Sequence, residues 1–301
     1  TTRRRGRPPG QGTSRGSLSE RMRDDGLVRR MTPVHVATCA AMLLAMSECA
    51  AAADDAAGGS ASLALPPPGA VPDYQLGGAY PPADGVGIVG RDRGAEPADD
   101  VYSICYVNAF QTQPGELDSW PEDLLLHAGG ASVFDPDWPD EALADTSTDD
   151  KRGRIAAIVT PWITGCAVDG FDAVEFDNLD SYTRSGGALD LDDNLALATE
   201  LVDAAHAAGL AAGQKNAAED AAALREQAGF DFAVVEECAA YDECEAYTEV
   251  YGPQVIDIEY TDQLPRSFAE MCADADAPAS MVLRDRDLLP AGAQGHTFET
   301  C

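Results

Sequence analysis

The stretch Gly170-Phe171-Asp172-Ala173-Val174-Glu175-Phe176-Asp177-Asn178-Leu179-Asp180-Ser181-Tyr182 decides how the chain is read. Ala173 and Val174 are small and apolar, as a strand packed on both faces requires. Alternate residues of a strand share a face. Glu175 and Asp177 therefore point the same way, with Asp177 at the strand's C-terminal end. Two acids on one face of a buried strand are costly unless a site uses them. The plainer alternative is an acidic turn that caps a helix through Asp180 or Ser181.

On either side of this segment the body alternates strands with helices. Strand patterns fall at Tyr74–Leu76, Val86–Val89, Tyr102–Asn108, Ala173–Phe176, Leu210–Gln214, Phe232–Val235, Val255–Ile258 and Ser280–Leu283. The clearest helical pattern runs from Leu191 to Ala208, with Leu195, Ala198, Val202 and Ala205 near helical spacing and Gly209 as its stop. Shorter helical candidates are Pro161–Ala167, Ala218–Gln227, Cys244–Tyr251 and Leu264–Ala273. Eight strands interleaved with helices predict an α/β protein, a (β/α)8 TIM barrel. An open doubly wound sheet is the runner-up. No GxGxxG follows the first strand, so no dinucleotide is expected.

In such a barrel, function sits at the C-terminal ends of the strands. There the sequence places Gly77 to Pro82, Arg91-Asp92-Arg93, Asn108, Asp177-Asn178, Lys215-Asn216, Glu236-Glu237, Glu259-Tyr260 and Arg284 to Asp287. Each polar cluster alone is ordinary loop. Their recurrence at one end of successive strands is the signal.

The formal net charge is −32 and is unevenly spread. Residues 1–53 carry nine arginines against four acids, and the remainder carries 11 basic against 48 acidic residues. Such a body repels nucleic acid and anionic membranes and attracts cations. An acidic solvating surface accounts for much of the charge without any ligand.

Arg29-Arg30-Met31, the uncharged run Val34 to Met46 and the small residues Ala50 to Ala53 have the layout of a secretory signal, with translation starting at Met22 or Met31. The run is too short for a comfortable membrane span. Cys49 would suit a lipoprotein anchor, but Glu48 before it is a poor fit. The expectation is therefore an N-terminal extension and signal-like segment (1–53), a flexible linker (54–72) and a barrel (73–301) in a secreted, monomeric protein.

Cys39 and Cys49 would leave with the signal. Cys105, Cys166, Cys238, Cys244, Cys272 and Cys301 remain, an even number that suggests three disulfides. If Asn108 faces the barrel mouth, Cys105 faces the helices, and Cys166 lies on the helix that packs there. Cys238 and Cys244 would clip one loop, and Cys272 and Cys301 would tie down the tail. A buried free thiol at Cys105 is the alternative. No CxxC or HxxxH spacing supports a metal, and none is expected.

Several segments resemble glycoside hydrolase family 114, the endo-α-1,4-polygalactosaminidases. They include Ile104 to Asn108, Trp138 to Glu141, Gly170 to Tyr182, Ala205 to Leu210, Lys215-Asn216, Phe230 to Val234, Glu236-Glu237-Cys238, Ile258 to Tyr260 and Leu283 to Leu288. The resemblance implies a (β/α)8 barrel that hydrolyses α-1,4-linked galactosamine polymers without a cofactor. By position it implies Asp177 as nucleophile and Glu236 as general acid/base. Glycoside hydrolysis needs two such carboxyl groups, one of them protonated at the working pH. Glu237, Glu175 or Asp177 would raise that acid by like-charge repulsion, while Lys215 would keep a carboxylate such as Asp177 ionised or form a structural ion pair. Substrate contacts are expected from Glu175, Asn178, Asp180, Tyr182, Lys215, Asn216, Glu237, Glu259, Tyr260, Tyr80 and Asn108, with Phe110 and Trp138 as further aromatic faces.

Two departures from the family pattern bear on substrate. Tyr74 stands where a Trp is often found, and Ala109 to Gln113 lacks the usual Gly with an acid or Arg. The alternatives are a carbohydrate-binding barrel without catalysis, a glycosidase for another α-linked polysaccharide, and an acidic surface protein.

Overall fold

The computed structural model describes residues 63–301. Eight parallel strands form one sheet: β1 (Val71–Tyr74), β2 (Val86–Asp92), β3 (Tyr102–Asn108), β4 (Ala173–Asp177), β5 (Ala211–Lys215), β6 (Phe232–Glu236), β7 (Val255–Tyr260) and β8 (Ser280–Arg284). They are hydrogen-bonded in chain order, and β9 (Phe298–Thr300) adds antiparallel to β8. This is the TIM barrel that the alternating pattern predicts. All eight predicted strands are present. The first begins at Val71, earlier than Tyr74–Leu76, because Pro72 and Asp73 hide a strand that reads poorly by composition.

Helices cover the later crossovers. α1 (Asp149–Asp169) follows β3, α2 (Leu191–Ala207) follows β4, α3 (Cys244–Tyr251) follows β6 and α4 (Phe268–Met271) follows β7. α1 starts 12 residues before the predicted Pro161. Thr148 accepts from the Lys151 amide as N-cap, and Asp149 and Asp150 favour the positive end of the helix. Pro161 therefore lies inside the helix rather than at its start. α2 starts with a capping box between Asp190 and Asp193.

Two layers of core follow from strand alternation. Ile88, Ile104, Phe232, Ile256, Ile258 and Val282 fill the lumen. Val174, Phe176, Val235 and Val255 face outward against α1, α2 and α3 through Ile155, Val159, Leu201 and Tyr247. Gly213 is required on β5, because a Cβ there would lie 2.5 Å from the Phe232 ring. Three disulfides join Cys105–Cys166, Cys238–Cys244 and Cys272–Cys301, the pairing expected from alternation and proximity.

The seam between β8 and β1 is stitched by side chains. Arg284 is fully buried and donates to Asp73 Oδ1 at 2.7 Å, to the Tyr74 carbonyl and to the Thr297 carbonyl at 2.9 Å. Asp73 also accepts from Gln75 Nε2 at 2.7 Å and Tyr80 Oη at 2.8 Å. Among the described residues, no helix is long and apolar enough to cross a membrane. The signal-like segment and residues 54–62 of the linker lie outside the described residues.

Candidate active site

β4, β5 and β6 end at Asp177, Lys215 and Glu236, and each is followed by a left-handed residue: Asn178 (φ 63°), Asn216 (φ 49°) and Glu237 (φ 62°). Asn tolerates this conformation, whereas Glu needs support. Glu237 has it: Arg286 donates to both its oxygens, at 2.9 and 2.7 Å. Each turn takes the chain off the rim at once. Asp177, Lys215 and Glu236 are left as the last inward side chains of three adjacent strands.

The buried Lys215 ammonium lies 2.8 Å from Glu236 Oε2 and 3.7 Å from Asp177 Oδ2. The two oxygens are therefore no farther apart than those distances combined, about 6.5 Å. Tyr106 Oη donates to Asp177 Oδ2 at 2.7 Å, and the Asn178 amide donates to Oδ1 at 2.7 Å. Asn216 Nδ2 donates to Glu236 Oε2 at 3.1 Å, and Tyr260 Oη donates to Oε1. Asn216 Oδ1 accepts from the Glu236 amide at 2.8 Å. Side-chain exposure of 18% for Asp177 and 26% for Glu236 leaves both open to a ligand.

Glu175 lies one layer deeper, fully buried. Tyr74 Oη donates to its Oε1 at 2.6 Å, while Oε2 has no partner. Gly90 makes room for Tyr74, since a Cβ there would meet the ring at 2.6 Å. Glu175 thus supports the site from below and is not at its surface.

Charge is distributed unequally. Burial pushes the Glu175 carboxyl up to about 7, although Lys215 and the Tyr74 hydroxyl pull it down. Burial also opposes ionisation of Glu236, but the Lys215 ammonium and the Lys215, Tyr260 and Asn216 hydrogen bonds overcome it and hold the group at about 2. Burial opposes the Lys215 charge too, and Asp177, Glu236 and Glu175 together raise it above the ordinary lysine value. The site therefore holds Glu236 ionised. Lys215 pairs with both carboxylates and is nearer to Glu236 than to Asp177, the carboxylate given as the example in the sequence reading.

The predicted residues divide into groups. Asn108 and Asn178 join at 3.0 Å, and Asn108 Nδ2 donates to Glu141 Oε2 at 2.9 Å. Burial raises Glu141 to about 7. Arg184 ties Asp180 (2.9 Å) to Asn178 (3.0 Å). Tyr182 donates to Asp220 at 2.9 Å, and Tyr80 belongs to the Asp73 seam. Tyr260 presents its hydroxyl to Glu236, but the Arg286 guanidinium covers its ring at 4.0 Å. Phe110 is fully buried core, so it offers no face to a sugar.

Two acids are not brought to the mouth. Glu237 turns to Arg286. Glu259 shares the outward face of β7 with Val255 and Asp257, because Ile256, Ile258 and Tyr260 take the lumen. It accepts from the Ala239 and Ala240 amides at 2.8 and 3.1 Å and so anchors the loop after β6. The sequence reading had not singled out Tyr106, whose signal was its place two residues before Asn108 on one face. Glu141 lies 33 residues from Asn108, and no local pattern reveals that contact.

Among the described residues, one group has metal-like spacing: Cys238, Cys244 and Asp257. Both sulfurs are joined in a disulfide, which leaves no thiolate to bind a cation.

What the site offers is a pair of carboxylates across a barrel mouth, bridged by an ammonium and aligned by tyrosine and asparagine donors. The fold resembles the crystal structure of Aspergillus fumigatus Ega3 in complex with galactosamine: TM-score 0.64 and 22% identity over 79% of this chain and 97% of that one. It also resembles the glycoside hydrolase domain of PelA from Pseudomonas aeruginosa, with TM-score 0.51 and 13% identity over 74% and 97%. No curated protein sequence matches the chain. The profile described as Glycoside-hydrolase family GH114 matches residues 52–301. With that match over most of its length, the chain belongs to glycoside-hydrolase family GH114.

Proposed function

We propose that this glycoside hydrolase cleaves α-1,4-galactosaminidic bonds in a galactosamine-containing polysaccharide, with Asp177 and Glu236 as the catalytic pair. The observation that carries this reading is the shared Lys215 contact, which puts Asp177 Oδ2 and Glu236 Oε2 within about 6.5 Å of each other. Retaining glycosidases need about 5–5.5 Å between carboxyl groups, and inverting ones about 6.5–9.5 Å to admit a water. That limit on the facing oxygens is compatible with the retaining spacing, the course taken in this reading.

In this reading Asp177 attacks the anomeric carbon to form a glycosyl ester. Tyr106 and the Asn178 amide fix both its oxygens for that attack. Glu236, the more open of the two, gives its proton to the leaving oxygen and later takes one from the attacking water. For that, Lys215 must shift its charge from Glu236 towards Asp177 when the sugar enters. The resting charge of Glu236 favours a second reading, with Glu236 as nucleophile and Asp177 as acid. An aryl glycoside with a good leaving group separates the two, because it needs little acid catalysis. The proton-donor variant keeps activity on it and the nucleophile variant does not.

The substrate assignment draws support from two sources. Ega3 was crystallised with galactosamine. The acidic body would concentrate a cationic amino-sugar chain. Three disulfides fit an exported protein. The test is an NMR time course on an α-1,4-galactosamine oligosaccharide. Early release of the α-anomer supports the proposal. Early β-anomer overturns retention, and no hydrolysis overturns the substrate.

A further inference from the structure

Of the aromatic faces expected to meet sugar, Phe110 is core and Tyr260 is covered by Arg286. Trp138 is different: it is 59% exposed. A second exposed ring, Tyr241 at 60%, lies on the loop after β6, five residues beyond Glu236. A single exposed aromatic is ordinary on a protein surface; what sets these two apart is how their loops are held.

Both rings sit on loops that buried groups hold in place. The Trp138 loop closes on the buried Asp135. Its Oδ1 accepts from the Asp137 amide at 2.8 Å and the Trp138 amide at 3.2 Å. Its Oδ2 accepts from Gln111 at 2.8 Å and lies 2.8 Å from Arg184, which also reaches Asn178 beside Asp177. The Glu141 amide donates to the Trp138 carbonyl at 2.9 Å, and the Glu141 carboxyl meets Asn108 at the end of β3. The loop is thereby tied to the rim beside Asp177.

The Tyr241 loop is tied to the rim beside Glu236. The Cys238–Cys244 disulfide clips its base. Asp257 accepts from the Cys238 amide, and Glu259 accepts from those of Ala239 and Ala240. The Tyr241 amide donates to the Glu237 carbonyl at 3.0 Å. Two buried carboxylates on the outer face of β7 therefore fix a loop whose tip is a bare aromatic ring. Ordering a loop in advance lowers the cost of binding on it.

Each ring also stands among exposed acids: Asp137 and Asp140 beside Trp138, and Asp242 and Glu243 beside Tyr241. An aromatic face suits the apolar face of a sugar ring and attracts an ammonium group, and neighbouring carboxylates strengthen the attraction to a cation.

We propose that Trp138 and Tyr241 are outer sugar platforms on different sides of the mouth, holding an amino-sugar chain across the Asp177–Glu236 pair. This rests on the proposed substrate and adds that the enzyme grips a chain at points beyond the cleaved bond.

The test uses Trp138→Ala, Tyr241→Ala and the double variant on partly deacetylated α-1,4-galactosamine polymer and on a small aryl α-galactosaminide. Trp138→Phe and Tyr241→Phe serve as controls that keep a ring. Each Ala variant should lose about three- to tenfold in kcat/KM on polymer through KM, with the losses combining in the double variant. Activity on the aryl substrate should stay within about twofold, and the Phe variants should retain polymer affinity. If the Ala variants cleave polymer like the wild type, or lose both substrates equally, the platforms are refuted while the proposed function stands. If the wild type cleaves neither substrate, the proposed function fails and this inference falls with it.

Discussion

The Lys215 ammonium lies 2.8 Å from the Glu236 carboxylate, and the pair occupies the ends of neighbouring strands β5 and β6. This contact, with Asn216 and Tyr260, holds Glu236 at about 2 against the effect of burial. Lys215→Met removes the counter-charge and leaves burial to act. With Glu236 as proton donor, the basic limb of the kcat/KM profile should then move up. The rate should fall about 10²- to 10³-fold, the scale for losing one preorganised charge. The sign for stability follows from a depressed pKa. The wild-type contribution is present above the ordinary value and is lost as pH falls through about 2, so the variant should be weaker at neutral pH. A pH–rate profile checks the first point, and one unchanged in shape would contradict it.

Glu175 carries the opposite shift. Burial raises its carboxyl to about 7, so the fold favours the neutral form. Its contribution to stability is complete below the ordinary carboxylate value and is lost as pH rises through about 7. Glu175→Gln fixes a neutral side chain that still accepts from Tyr74. The variant should lose less stability than the wild type between about pH 5 and 8, by up to about 3 kcal/mol. Urea melts at the two pH values measure the difference.

The three disulfides should not be equivalent. Cys105–Cys166 spans 61 residues and Cys238–Cys244 spans 6. By chain entropy, removing the first should cost about 4 kcal/mol and the second about 2 kcal/mol. Paired Cys→Ala variants compared by thermal melts test this order. The short clip should matter more for polymer affinity than for melting, because it anchors the Tyr241 loop.

At the β8–β1 seam, Asp73→Asn leaves Arg284 buried without its counter-ion. Breaking a buried pair from one side costs about 3–5 kcal/mol. Tyr80→Phe removes one hydrogen bond to the same carboxylate and should cost about 1 kcal/mol. Denaturant midpoints for the two variants should differ accordingly, and equal midpoints would remove the seam's importance.

Most of the barrel was legible because its strands alternate cleanly between Gly or Pro punctuation and helical runs. β3, from Tyr102 to Asn108, has the expected boundaries. Hidden parts were those where tertiary contacts outweigh local pattern. Pro161 looked like a helix start but sits within α1, whose real start is the Thr148 cap. β1 was read late because Pro72 and Asp73 are poor strand residues, and Asp73 is there to meet Arg284 from 211 positions away.

In the site, alternation worked where it was applied strictly. Glu175, Asp177, Lys215 and Glu236 converge as strand parity requires. Glu259 and Tyr260 are adjacent in one strand and cannot both face the lumen, so Glu259 belongs to the outer layer. The preference of Lys215 for Glu236 depends on sub-ångström placement that no sequence pattern carries.

The central claim is that Asp177 and Glu236 together cleave an α-galactosamine polymer. The direct measurement is oligosaccharide release from partly deacetylated α-1,4-galactosaminogalactan by the wild type, Asp177→Asn and Glu236→Gln, each first shown to be folded. The account predicts release by the wild type and at least about a 10²-fold loss in both variants. Release by either variant at the wild-type rate would contradict the account.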